Sequence, residues 1–584
     1  MKSKSSMAMP PSNKSPVQSL LAQMTLDEKI GQMVQPDLNA VQDRNDLQKY
    51  GFGSMLSGGD SKPPGENNPQ TWLKTVNELQ AYALKSRLKI PLIYGIDAVH
   101  GNNGVAGATI FPHNLGLGAT RNPKLVGQAA RITALETAGV GIRWTFAPCI
   151  AVVQDERWGR TYESFGQDAK LISEFGAAVI KGLQGEKLSA TSDSVLACAK
   201  HFIGDGGTQG GKDQGNTVGD EAALRKIYLP PYLAAIQAGV GSIMISYNSW
   251  NGVKMHAHKY LLTGVLKGEL GFKGFLVSDW AAIDQISPDY KTDVEISLNA
   301  GLDMIMIPFG AGRKNSYLEF IRDLKELVTE GKVSMARIDD AVARILRIKF
   351  QMGLFENPYA DVSLMAKIGC AEHRQVARQC VQQSLVLLKN EKNVLPLSKK
   401  IKHLAVVGKA ADDLAIQCGG WTISWQGAGQ LTHGTTILQA IRQTISPETQ
   451  VTFSADGNDI KNADAVVVVI GELPYAEFKG DLLALDLAPD MIALLKKIRA
   501  TGVPVTTILF SGRPLILGSV LVSSDAFIAA WLPGSEGQGV ADVLFGEVKP
   551  SGKLPREWPR SNDQFMSYKM PDEPLFQSGF GLTY

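Results

Sequence analysis

The chain has little that would hold a metal, a membrane or a nucleic acid. Its five cysteines, Cys149, Cys198, Cys370, Cys380 and Cys418, are scattered, form no CxxC pair and have no histidine at ligand spacing, so no metal is expected. An odd count excludes complete intramolecular pairing, and Cys149 and Cys198, in or beside strand-like runs, are expected as buried thiols. No apolar run reaches the ~18 residues of a membrane span. A formal net charge of +2 over 584 residues leaves no basic face for nucleic acid and points to a neutral partner. Val406-Val-Gly-Lys-Ala-Ala-Asp412 lacks both GxGxxG and a GK[ST] ending, so no nucleotide cofactor is expected. Met1 to Pro10 is charged and polar without an apolar centre, which reads as part of a disordered segment, 1–14, rather than a signal peptide. The expected location is cytoplasmic, or periplasmic or secreted if a signal has been removed.

What is present is ordinary in bulk, with 44% hydrophobic and 20% charged residues, and informative in order. Gly274-Phe-Leu-Val-Ser-Asp-Trp280 is an apolar run that stops at a carboxylate beside an indole. Pro91-Leu-Ile-Tyr-Gly-Ile-Asp97 also ends in Asp, Val195-Leu-Ala-Cys-Ala-Lys-His201 in two polar side chains, and Ile243-Met-Ile-Ser-Tyr247 in a tyrosine. Thr145-Phe-Ala-Pro148 leads into Asp155-Glu-Arg-Trp-Gly-Arg160, too charged for core. Helical spacing fills the intervals, for example Ala222 to Ala238 and Val294 to Ala300, so strands alternate with helices. Strands ending in polar residues on one rim read as the active face of a (β/α)8 barrel. Asp279 taken alone reads first as a cap of the next helix, ahead of a catalytic acid.

Near residue 356 the organisation changes. A helical stretch from Ile338 to Phe350 closes the first half, and Phe355-Glu-Asn-Pro-Tyr-Ala360 marks a turn. Leu404-Ala-Val-Val407, Ala465-Val-Val-Val-Val-Ile470, Val505-Thr-Thr-Ile-Leu-Phe510 and Ala526-Phe-Ile-Ala-Ala-Trp531 then read as buried parallel strands of a second α/β domain. The expected division is a barrel over 15–355, a linker over 356–372, an α/β sandwich domain with a mostly parallel sheet over 373–560 and a tail over 561–584. Gly471-Glu-Leu-Pro-Tyr-Ala-Glu-Phe-Lys-Gly-Asp481 follows a strand, where open sheets bind ligands, although its composition also suits a solvated loop. Cys418-Gly-Gly-Trp-Thr-Ile-Ser-Trp-Gln-Gly427 sets two indoles among glycines, suited to the flat apolar face of a sugar.

The ordered motifs Tyr94-Gly-Ile-Asp-Ala-Val-His-Gly101, Arg157-Trp-Gly-Arg-Thr-Tyr-Glu-Ser164, Lys200-His-Phe-Ile-Gly-Asp-Gly-Gly-Thr208, Val277-Ser-Asp-Trp280, Trp421-Thr-Ile-Ser-Trp425 and Gly471-Glu-Leu-Pro-Tyr475 resemble glycoside hydrolase family 3. The likeness is to its two-domain β-D-glucan glucohydrolases, and Ser551-Gly-Lys-Leu-Pro555 and Gly579-Phe-Gly-Leu-Thr-Tyr584 fit it too. The resemblance implies a retaining exo-β-glucosidase acting on β-1,3- and β-1,4-glucans, oligosaccharides and aryl β-glucosides. It implies Asp279 as nucleophile and Glu477 as general acid/base, with Glu472 as the alternative acid. Asp97, Arg160, Lys200 and His201 would fix the hydroxyls of the terminal glucose, Met244 and Tyr247 would line its pocket, and Trp280 and Trp425 would clamp the next sugar. Core packing remains an equal reading for Met244 and Trp421. Glu477 should be kept protonated by burial or neighbouring carboxylates, while Lys200 helps to keep Asp279 charged.

Departures bear on the details. Ala281 and Gln285 replace a Glu and an Arg of plant relatives near the second sugar site, and Val153 and Thr161 replace a cysteine pair. An N-acetylglucosaminidase of the family would carry a Pro and a second His where Ile203 and Asp205 stand. The remaining alternatives are a β-xylosidase and a non-catalytic β-glucan-binding protein. The partner is expected to be a β-glucan oligosaccharide or β-glucoside, with the chain a monomer or homodimer.

Overall fold

The computed structural model describes residues 15–427, 433–458, 460, 462–566 and 573–584. The disordered segment expected over 1–14 and part of the expected tail lie outside the described residues.

Eight short strands build the barrel of the first half: β1 (Val34–Pro36), β2 (Ser54–Ser57), β3 (Ile93–Ile96), β4 (Trp144–Thr145), β5 (Cys198–Phe202), β6 (Ser242–Ile245), β7 (Phe275–Val277) and β8 (Ile305–Ile307). β2, β3 and β4 pair in parallel, as do β5, β6 and β7, and β8 pairs in parallel with β1. Parallel bridges Asp37–Leu56, Trp144–Leu196 and Val277–Met304 join the remaining seams, so the ring closes as the expected (β/α)8 barrel.

The surrounding helices start where their caps dictate. Asn68 accepts from Thr71 N ahead of Pro69–Ala83, Asn122 from Leu125 N ahead of Pro123–Ala138, and Asp168 from Leu171 N ahead of Ala169–Gln184. The stretch of helical spacing from Ala222 to Ala238 holds two helices, Glu221–Ile227 and Pro230–Gln237. Pro230 and Pro231 lack the N–H groups that would continue the first helix and suit the first turn of a new one.

The second half is one six-stranded sheet: β9 (Val386–Asn390), β10 (His403–Val407), β11 (Gln450–Ser454), β12 (Ala465–Gly471), β13 (Val505–Phe510) and β14 (Ala526–Trp531), in spatial order β9-β14-β13-β12-β10-β11. Its pairs are parallel except β9–β14, which is antiparallel. β12 is buried at every residue because successive side chains feed two cores. Val466, Val468 and Ile470 join Leu495 and Ile498 on one face, while Val467 and Val469 join Ile437 and Ile441 on the other. That explains a valine run with no polar alternation.

Helix Ala371–Ser384 ties the halves together. Its His373 Nδ1 lies 2.7 Å from Glu136 Oε1 of the barrel, and Arg378 donates both prongs to Asp542 at 2.6 Å in the second domain.

Candidate active site

The C-terminal ends of the barrel strands face the corresponding ends of the second sheet across a cavity of about 530 Å³. All ten residues singled out in the sequence line it: Asp97, Arg160, Lys200, His201, Met244, Tyr247, Asp279, Trp280, Trp425 and Glu477. Asp97 follows β3, Lys200 and His201 sit in β5, Met244 in β6, and Asp279 lies two residues beyond β7. The second domain contributes Glu477 from the loop after β12 and Trp425 from the loop over 418–427.

Asp279 is only 8% exposed. Its Oδ1 accepts from Trp280 N at 2.7 Å and its backbone N donates to His256 Nε2 at 3.2 Å. Oδ2 has no hydrogen-bond partner among the described residues; His201 Nε2 lies 3.8 Å away. The side chain does not cap the following turn Ala282–Gln285, whose cap position is Ala281 and carries no side-chain bond. Burial pushes Asp279 up to about 6, with Arg160 and Lys200 pulling the other way. Lys200 thus acts in the expected direction, but desolvation outweighs it.

Glu477 is a non-glycine residue at φ 53°, in the left-handed region, at the start of the tight turn Glu477–Gly480. Gly159 makes room for it: a Cβ there would stand 2.0 Å from the Glu477 carbonyl oxygen. Burial pushes the Glu477 carboxyl up to about 8; Arg160 opposes this, and Asp213, Asp279 and Glu163 reinforce it. Glu472 points elsewhere. It accepts from Tyr475 Oη at 3.0 Å and Gly512 N at 2.9 Å, and so anchors the loop from behind.

Arg160 connects the parts. It donates to both oxygens of Glu163 at 2.9 and 3.0 Å, places Nη1 3.1 Å from Glu477 Oε1, and points Nη2 at His201 Nε2 at 3.1 Å. A guanidinium only donates, so Nε2 accepts and the ring proton sits on Nδ1, 2.9 Å from Asp205 Oδ2. Burial, then Arg160 and Lys200, hold His201 well below its ordinary value, so it is neutral. Lys200 Nζ donates to Asp97 Oδ1 at 2.9 Å; burial disfavours its charge, but Asp97 and Glu163 overcome this and raise it.

The mouth is aromatic. Trp280 is 36% exposed, with Gly58 so close that a Cβ would fall 2.2 Å from its ring. Tyr247 donates its hydroxyl to the Trp280 carbonyl. Trp425 is held by its backbone N–H, which donates to Asp60 Oδ1 at 2.9 Å, and its ring tilts at 58° against Phe478, centroids 5.7 Å apart. Trp421 combines both of its readings: it is 7% exposed, donates to Glu163 Oε1 at 3.2 Å and lines the cavity. Met244 does likewise, 2% exposed in the barrel core with an edge on the cavity. Gln285 links Lys254 Nζ at 2.8 Å to Gln214 Oε1 at 2.9 Å, an amide bridge on the cavity wall.

Sequence reasoning missed Phe478, Glu163, Asp213 and Asp60. Phe478 and Glu163 lay inside the quoted motifs, Glu163 at i+3 from Arg160. Among the described residues Cys149, His201 and Asp205 bring ligand-type atoms within 4.8 Å of one another. The His201–Asp205 hydrogen bond accounts for that closeness, and burial pushes the Cys149 thiol up, away from the thiolate a metal needs.

The N-terminal domain of glycosyl hydrolase family 3 is matched over residues 25–348 and its C-terminal domain over 385–584. The chain belongs to glycoside hydrolase family 3. It is 37% identical to a lysosomal beta glucosidase of Dictyostelium discoideum, over 97% of this chain and 76% of that protein. An exo-1,3/1,4-beta-glucanase from a Pseudoalteromonas species superposes with a TM-score of 0.92 at 41% identity, covering 97% of this chain and 73% of that one. A beta-glucosidase from Listeria innocua, solved in complex with glucose, gives 0.86 at 31% identity over 97% and 83%. The fold expectation of barrel plus mostly parallel sheet holds for this glycoside hydrolase.

Proposed function

We propose that the chain is a retaining, exo-acting β-glucosidase that removes glucose from the non-reducing ends of β-1,3- and β-1,4-linked glucans, oligosaccharides and aryl β-glucosides. The observation that carries this reading is a pair of carboxyls, one from each domain, lining a single cavity: Asp279 is buried and Glu477 partly buried, and burial pushes both up, Asp279 to about 6 and Glu477 further, to about 8. The lower one suits a nucleophile and the higher one a proton donor.

In this reading Asp279 Oδ2, the oxygen without a partner, attacks the anomeric carbon while Glu477 protonates the departing glycosidic oxygen. Glu477 then takes a proton from water, which displaces Asp279 from the sugar and leaves the β-anomer. Asp97, Lys200, Arg160 and neutral His201 hold the glucose hydroxyls; charged partners make such bonds strong and penalise a sugar that lacks the hydroxyl. Trp280, Trp425 and Phe478 would bracket the leaving sugar by its faces, which admits more than one linkage. The names of the similar proteins, a lysosomal beta glucosidase and an exo-1,3/1,4-beta-glucanase, support the substrate class.

The test is the anomer released from laminaribiose and cellobiose, read by NMR before mutarotation. Initial β-glucose is expected; initial α-glucose rejects the covalent role of Asp279, and no hydrolysis of either sugar rejects the substrate class.

A further inference from the structure

Both indoles at the mouth of the cavity lean on one turn of the barrel, residues 58–61, which follows β2. A Cβ on Gly59 would stand 3.1 Å from the Cβ of Trp425, just as one on Gly58 would strike the Trp280 ring. The turn is stiffly built. Ser61 N donates to the Gly58 carbonyl at 2.7 Å, and buried Asp37, just beyond β1, accepts from Gly58 N at 3.2 Å and Ser61 Oγ at 2.6 Å. Fixed at both ends by one carboxylate, the turn presents Asp60 at a set point on the cavity wall.

Trp425 comes from the other domain, and the loop that carries it takes its shape from the barrel. His113 Nε2 lies 3.0 Å from the Gly420 carbonyl, Trp421 Nε1 donates to Glu163, the Thr422 hydroxyl lies 3.1 Å from His100 Nε2, and Ile423 N donates to the Asn103 carbonyl at 2.8 Å. Those contacts join buried residues; Asp60, which accepts from Trp425 N, continues the series at the exposed rim. One residue further, the Gln426 side chain bonds the backbone N and carbonyl of Ala476, beside Glu477, at 3.1 and 3.4 Å. Trp425 is therefore where the loop leaves the barrel for the acid/base loop, and Asp60 holds its backbone on the barrel side. A hydrogen bond at a wet rim is weak unless one partner is charged, and a carboxylate accepting a backbone N–H is the stronger kind.

Resting on the reading of Trp280 and Trp425 as the clamp on the leaving sugar, we propose that Asp60 is a positioning residue for that clamp. It fixes the separation of the two indoles across the domain boundary and so governs how well the leaving sugar is held. A gap of roughly 0.5–1 Å already forfeits a sizeable share of the dispersion between two surfaces. Asp60 need not touch the sugar; it acts through Trp425.

The test compares cellobiose with methyl β-glucoside, whose departing methanol needs a proton as a sugar does but offers the indoles no face. In Asp60→Ala the ratio of kcat/KM for cellobiose to that for methyl β-glucoside should fall about tenfold, carried by the KM for cellobiose. Asp60 is exposed, so its replacement leaves the fold intact. Asp60→Asn, whose amide oxygen can accept the same N–H, should restore most of the ratio. In a Trp425→Ala background, Asp60→Ala should change the ratio no further, because a residue that acts through the indole has nothing left to act on. An equal fall for both substrates marks general damage or a displaced Glu477, and a further fall in the Trp425→Ala background marks a direct hold on the sugar. Either result overturns the proposal, as does an unmoved ratio in Asp60→Ala or an Asp60→Asn as impaired as Asp60→Ala. Trp425→Ala by itself separates the two readings. If it lowers the ratio while Asp60→Ala does not, only the Asp60 proposal goes; if it leaves the ratio unmoved, the clamp reading goes and this proposal with it.

Discussion

Asp279 is buried and Glu477 partly so, and what separates them is the company each keeps. Asp279 has Arg160, Lys200 and the Trp280 N–H to offset its burial, whereas Glu477 has Arg160 against three carboxylates. The kcat/KM profile should therefore be a bell with its acid limb near 6 and its alkaline limb near 8; stopped assays on an aryl β-glucoside across the pH range check it. Asp279→Ala should cost roughly 10⁴-fold or more in kcat while the thermal midpoint does not fall, because a buried charge has been removed. For Glu477→Ala, aryl substrates with good leaving groups should suffer least in the first step. Stability gives an independent reading. Between the ordinary value of 4.5 and about 8, folded Glu477 holds a proton that the unfolded chain has released, so stability falls as pH rises through that window. Glu477→Gln should flatten this slope and gain roughly 1–3 kcal/mol at pH 8, read by denaturant titration at pH 5 and pH 8.

Elements decide whether these residues meet. The loop after β12 is clamped from behind by Glu472 and Arg513, which donates to the Gly480 carbonyl at 2.6 Å, and from the front by Gly159. Gly159→Ala must displace the Glu477 backbone by more than an ångström. It should lower kcat roughly 10²-fold with the circular dichroism spectrum unchanged, measured on cellobiose. How legible each element was follows from its surroundings. β12 to β14 are long apolar runs buried on both faces and could be read directly, as could strand ends such as Asp97, His201 and Asp279, where an apolar run gives way to a polar side chain. β1 and β2 hid because their few residues include Gln35 and Ser54, buried and bonded to each other at 2.8 Å, which breaks the apolar pattern. β11 hid because it is an edge strand with a partly exposed, mixed face.

At the scale of the molecule the cavity belongs to neither domain. Arg160 of the barrel reaches Glu477, Arg513 of the second domain donates to the carbonyls of Glu156 and Arg157, and His113 Nε2 lies 3.0 Å from the Gly420 carbonyl. A glucose-mimicking inhibitor should therefore raise one shared unfolding transition, by about 2.7 kcal/mol at a hundredfold excess over its Kd. Calorimetry showing two transitions with only one displaced would argue against a site built from both halves. The division of the carboxyls has a consequence for the life of the protein. A half-synthesised chain emerging N-terminal first, or a fragment nicked between the halves, carries Asp279 without Glu477 or the reverse. With the roles proposed for the two carboxyls, hydrolytic power should appear only once both parts are present and have closed on each other, so that activity itself would report an assembled molecule.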